Sequence, residues 1–86
     1  MNMTEFITMS NLQKYETAFA EAFGIDRDIL PALEYQAIPE WDSVGHMVLI
    51  AALEGAFDIM MDTDDIIDFS SFEKGKEILG KYDVEF

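Results

Sequence analysis

The chain has 86 residues, half of them apolar, with 18 Asp or Glu against five Lys or Arg and a formal charge of −13. Such a composition can bury a core, but the length supports one domain at most, taken as residues 1–86, which hides only about 60% of its unfolded surface. The absence of cysteine excludes a disulfide framework and a thiolate metal site, and no metal site of another kind is expected. No apolar run approaches the roughly 20 residues that span a bilayer. Met1-Asn2-Met3-Thr4-Glu5 lacks the basic start of a signal peptide. The expected chain is therefore cytoplasmic, with no membrane insertion.

The charge is unevenly distributed. Between positions 28 and 73 there is no Lys or Arg, while Asp28, Glu34, Glu40, Asp42, Glu54, Asp58, Asp62, Asp64, Asp65, Asp68 and Glu73 all fall there. Phosphate binding needs cations, so nucleic acid is excluded as an expected partner. A partner with a basic docking surface suits this field, because complementary charge speeds encounter.

The first helix is predicted over Asn11 to Phe23. Leu12, Tyr15, Phe19, Ala22 and Phe23 recur at three- and four-residue steps and share one face. Ser10 and Gln13 have capping-box spacing, and Gly24 suits the position after a helix. Thr4 offers an earlier cap, with Phe6, Ile7 and Met9 as a backward extension. Residues 24 to 41 read as a long loop anchored by Ile25, Ile29, Leu30, Leu33 and Ile38, with a turn of helix over Asp26 to Leu30. Asp42 or Ser43 caps a second helix that runs to Phe57. A short third helix covers Asp64 to Asp68, started by Asp62 or Thr63. Ser70 and Glu73 form another capping-box pattern ahead of a fourth helix, whose inward residues are Phe72, Ile78, Leu79 and Tyr82. Gly75 and Gly80 should weaken that helix by about 1 kcal/mol each. No segment alternates, so no sheet is expected. The predicted fold is all-α: a small monomeric four-helix bundle, with three main helices, a short third helix and a long loop between helices 1 and 2.

The second helix is apolar on two flanks. With Ser43 at 0° and about 100° per residue, His46, Leu49, Ile50, Leu53, Ala56 and Phe57 gather near 220–340°. Val44, Met47, Val48 and Ala51 gather near 40–140°, where a surface helix should meet water. An apolar strip there marks either an interaction surface or a helix buried on all sides. Ser43 begins the helix beside that strip. A serine in this position is most often only a cap.

The string from Asp42 to Phe57 changes that balance. It opens Asp42-Ser43-Val44 and closes Leu53-Glu54-Gly55-Ala56-Phe57, with aliphatic residues between. This resembles the acyl carrier protein family, whose second helix begins Asp-Ser-Leu and ends Leu-Glu-x-x-Phe at the same spacing. The outline of helices resembles that family too, over roughly residues 5 to 82. The resemblance implies a carrier, not an enzyme. A phosphopantetheinyl transferase would attach the 4′-phosphopantetheine arm of coenzyme A to Ser43, and the arm's thiol would hold an acyl group as a thioester. Acyl-loading ligases and acyl-processing or acyltransferase enzymes would be the further partners. It also implies that Asp42, Val44, Met47 and Ala51 dock partners, amid Glu54, Asp58, Asp64 and Asp65. Leu49, Ile50, Leu53, Phe57, Ile67 and Leu79 are candidates for an acyl pocket, or else ordinary core.

The sequence departs from the family pattern in places. Val44 replaces Leu, Val48 and Gly55 stand where Glu is frequent, and the lead-in is Glu40-Trp41-Asp42. A Trp before Asp-Ser, with His three residues after it, is similar to stand-alone carriers of lipid, surface-polysaccharide or specialised-metabolite biosynthesis. Ser43 and His46 are neighbours on a helix, yet no glycine run supplies an oxyanion hole, so a hydrolase is not expected. The acid-rich stretch lacks the EF-hand string. Two alternatives remain: a peptidyl or aminoacyl carrier, and a non-carrier acidic bundle that binds a basic partner.

Overall fold

The computed structural model describes residues 9–86, and within them the chain is all-helical. Helix α1 spans Asn11–Phe23, a 3-10 helix spans Arg27–Ala32, α2 spans Ser43–Phe57, α3 spans Thr63–Asp68 and α4 spans Phe72–Gly80. Among the described residues the only β-type pairing is an isolated bridge between Glu34 and Ser71. Thr4, Phe6 and Ile7 lie outside the described residues.

Local chemistry sets the helix ends. Ser10 Oγ accepts from Gln13 N at 3.1 Å and Gln13 Oε1 accepts from Ser10 N at 2.9 Å, a complete capping box. Gly24 ends α1 at φ 65°, a left-handed conformation that glycine adopts without penalty. The expected turn at Asp26 to Leu30 is the 3-10 helix, shifted towards the C-terminus and carrying Pro31. The cap of α4 is Ser71, not Ser70: its hydroxyl accepts from Lys74 N at 2.9 Å.

The core is aromatic. Tyr15, Phe19 and Phe23 of α1 pack against Trp41, Phe69 and Phe72 in tilted and edge-to-face pairs. The fully buried Tyr15 hydroxyl donates to the Phe72 carbonyl at 2.7 Å, tying α1 to the start of α4. Burial first, then the charge of Glu73, pushes the Tyr15 phenol far above its ordinary range, so it stays neutral. Gly75 is not the weakness that its helix propensity suggests. A Cβ there would overlap the Tyr15 hydroxyl and the Phe69 ring, so glycine is what lets α4 seat on the core. Leu12 and Ile29, expected inward, are exposed.

Candidate functional site

Asp42 and Ser43 divide the work at the head of α2. Asp42 is the cap: its Oδ1 accepts from Gly45 N at 2.8 Å, and its carbonyl accepts from His46 N at 2.7 Å. Ser43 is the first residue of the helix, exposed, and its hydroxyl enters no hydrogen bond among the described residues. The cap reading therefore belongs to Asp42 and leaves Ser43 Oγ free. Gly45 matters here as well, because a Cβ would overlap the Glu40 carbonyl oxygen and push the incoming loop off the helix.

The outer flank of α2 is open to water. Val44 is 72% exposed, Met47 52% and Val48 50%, and Ala51 is exposed beside them. The alternative of a helix buried on all sides does not hold. The inner residues Leu49, Ile50 and Leu53 are at most 1% exposed, and Leu79 of α4 is equally buried. These four candidate pocket residues are packed core, and Phe57 packs half-buried against it. Ile67 is displaced in the opposite direction. It is 72% exposed on α3, because a six-residue helix can turn only a narrow face inward.

The open space lies elsewhere. A groove of ≈ 380 Å³ runs between α2 and α3, lined by Tyr35, Ser43, His46, Met47, Ile66, Ile67, Phe69 and Ser70. Ser43, Met47 and Ile67 are the members singled out in the sequence as site residues. His46 joins the two helices across the groove. Trp41 Nε1–H donates to His46 Nδ1 at 2.9 Å, which leaves the ring proton on Nε2 facing the Ile66 carbonyl at 2.7 Å. Both ring nitrogens are committed, so His46 is not free to act as a base on Ser43. A larger groove of ≈ 460 Å³ sits between α1 and α2, away from Ser43, and is lined largely by small residues.

Among the acids expected to surround the docking strip, two do something else. Asp65 is only 7% exposed. It pairs with Lys81, and its Oδ2 accepts from the Tyr82 hydroxyl at 2.5 Å. The Tyr82 oxygen in turn accepts from Asp62 N at 2.9 Å. The hydrogen bonds from Lys81 and then Tyr82 hold the Asp65 carboxyl below the usual carboxylate range, and Asp65 raises Lys81 and Tyr82 in return. Asp65 is thus a fastener between α3 and the segment after α4, not a docking acid. Glu54 is half-buried and its Oε2 accepts from Met61 N at 3.0 Å, closing the turn after α2. Asp58 is exposed and ends α2 in a left-handed conformation.

Asp42 and Asp64 remain exposed, as expected. Four of the five cations pair with local acids: Arg27 with Glu16, Lys74 with Glu77, Lys76 with Glu73, and Lys81 with Asp65. Asp42, Asp58 and Asp64 have no ion-pair partner among the described residues, whereas Asp68 lies beside Lys74 and Lys81 on the α3–α4 side and its charge helps raise the Lys81 ammonium. Sequence reasoning missed Tyr35, Ile66, Phe69 and Ser70 as lining of this groove, and missed that Trp41 holds His46 from behind. The spacing of Trp41 and His46, five apart around the helix start, was the available signal.

No helix among the described residues is long and apolar enough to cross a membrane. No family model, no curated protein and no solved structure matches this chain.

Proposed function

We propose that this chain is an acyl carrier protein whose four α-helices form the carrier's bundle and whose Ser43 bears a 4′-phosphopantetheine arm. The observation that carries the reading is the division of labour at the head of α2. Asp42 does the capping, and Ser43 presents an unused hydroxyl at the rim of an apolar groove. A serine retained only as a cap would have its oxygen engaged.

The surroundings support an arm at this position. The N–H groups of Ser43 and Val44 enter no hydrogen bond among the described residues, and a helix N-terminus carries partial positive charge. Both favour a phosphodiester on the Ser43 oxygen. In loading, that oxygen would bond to the pantetheine-side phosphorus of coenzyme A. The pyrophosphate P–O bond breaks, adenosine 3′,5′-bisphosphate leaves, and the hydroxyl proton passes to a base of the transferase. The arm supplies the thiol that a chain without cysteine lacks. The exposed Val44–Met47–Val48 strip, with the exposed carboxylates Asp42 and Asp64, suits a transferase, an acyl-loading ligase and acyltransferases with basic, partly apolar docking surfaces. The strong acidity favours an acyl over a peptidyl cargo. The cytoplasm, where coenzyme A is at hand, is the proposed location.

The test is intact-protein mass after incubation with coenzyme A and a broad-specificity phosphopantetheinyl transferase. A gain of one phosphopantetheine group, absent in Ser43→Ala, is the expected result. A protein that several transferases leave unmodified would instead be an acidic interaction bundle. The control is clean, because Ser43 makes no capping bond and its loss should leave the circular dichroism spectrum unchanged.

A further inference from the structure

The groove beside Ser43 has an exposed rim and a more buried inner side. Exposed Ser43, Met47, Ile67 and Ser70 form its rim, while buried Phe69 and half-buried His46 form its inner side. His46 is held there from two directions, by the Trp41 indole and by the Ile66 carbonyl of α3. Trp41 is fully buried, and its ring lies nearly parallel to the imidazole, with planes 14° apart and centroids at 6.2 Å, joined to it edge to edge by the Nε1–Nδ1 hydrogen bond. Behind this pair the interior is occupied: Leu49, Ile50 and Leu53 are at most 1% exposed, and none of them lines the groove.

We propose that His46 is a specificity-determining latch. It fixes the depth of the groove, so that the loaded arm shelters only a small acyl group while a long chain stays outside. This rests on the carrier reading of Ser43. At roughly 30 Å³ per water-sized unit, ≈ 380 Å³ holds about a dozen methylene-sized groups. The thiol end of the arm takes part of that room, so the acyl group that shelters beside it must be short. A longer chain would have to enter between α2 and α3. It would break both bonds of His46, leave the buried Trp41 N–H and Ile66 carbonyl without partners, and displace close-packed core. The proposed cargo class is therefore a short-chain acyl thioester.

The experiment loads wild type, His46→Ala and His46→Gln with hexanoyl- or hexadecanoyl-coenzyme A through a phosphopantetheinyl transferase, and verifies each product by mass. Thioester cleavage by hydroxylamine is then compared with that of the same free acyl-pantetheine. In wild type the hexanoyl thioester should be protected several-fold and the hexadecanoyl thioester hardly at all. His46→Ala should extend protection to hexadecanoyl. His46→Gln, whose amide both donates and accepts, should retain the wild-type profile. Equal protection of both chains in wild type, or an unchanged profile in His46→Ala, would overturn the latch. If His46→Ala does not fold, amide shifts in loaded wild type decide. Hexanoyl should move Met47, Ile67 and Phe69 but not Leu49, Leu53 or Leu79, and movement of the latter set by hexadecanoyl would overturn the proposal. Failure to load Ser43 at all would remove the carrier reading and the latch with it. Loading with deep insertion of the long chain would remove the latch alone.

Discussion

The two flanks of α2 are made of the same kind of residue and meet opposite fates. Leu49, Ile50 and Leu53 are sealed against α1 and the aromatic cluster, while Val44, Met47 and Val48, on neighbouring turns, face water. Hydrophobicity therefore does not tell core from surface on this helix; angular position does. The inner flank is held by packing to near-crystalline density. The outer flank, open to water, should cost the fold little to change. A similar split recurs on α3, where Asp64 is exposed and the next residue, Asp65, is buried against Lys81 and Tyr82.

The sharpest way to break the comparison is to truncate both flanks. Leu53→Ala should cost about 2–5 kcal/mol, from lost burial and the cavity left behind, a large share of what a domain of this size has. Met47→Ala should stay within about 0.5 kcal/mol, as exposed substitutions do. Urea unfolding of the two variants measures this. Similar losses would mean that the outer flank is core in solution.

The acids of α3 offer the next contrast. Asp65→Asn should destabilise clearly and Asp64→Asn hardly at all, because only Asp65 carries paired charge. The sign of the pH dependence follows from the shifts. The Asp65 carboxyl is depressed in the fold, so its contribution is present above the unfolded value near 3.9 and is lost as pH falls through the folded value. Lys81 is raised, so its contribution is complete below about 10.4 and is lost as pH rises through the folded value. The gap in melting temperature between wild type and Asp65→Asn should thus be widest between about pH 4 and pH 10 and should narrow in acid. Taking the difference removes the mutual repulsion of the other acids. A gap that ignores pH would mean that the pair does not form.

These contrasts also mark where the sequence was legible. The bounds of α1 and α2 were readable because capping is local: Ser10 with Gln13, Gly24 with Ala20, and Asp42 with Gly45 all act within four residues. Helical periodicity offered the exposed strip as one of two readings, and the Asp42-Ser43-Val44 string left the cap open between Asp42 and Ser43. Burial of Asp65 was not readable, since it depends on Lys81, 16 residues away, on a different element. The need for glycine at position 75 is set by Tyr15, far off in the chain, and helix propensity points the wrong way there. The lining of the groove was not readable for the same reason. Which apolar residues of α2 and α3 line open space depends on how the two helices meet, and the His46 bridge to Ile66 sets that meeting.

Asp42→Ala comes lower on the scale. It should cost about 0.5–2 kcal/mol through the lost bond to Gly45 N, whereas Ser43→Ala should cost less, because its hydroxyl caps nothing. Reversed magnitudes would return Ser43 to the role of cap and undercut the carrier reading.

The smallest expected change in stability belongs to Met47→Glu, and it is the most informative about function. Glu suits a helix position open to water, so the melting temperature should hardly move. An apolar contact with a partner would acquire a carboxylate that must be desolvated on docking. The kcat/KM for phosphopantetheine transfer to Ser43 should therefore fall about tenfold or more, through KM, as for loss of a contact worth about 1.4 kcal/mol. Transfer at the wild-type rate would free the strip from any part in recognising the transferase. A matching loss of stability would show that Met47 supports the fold, and the separation between the two flanks of α2 would disappear.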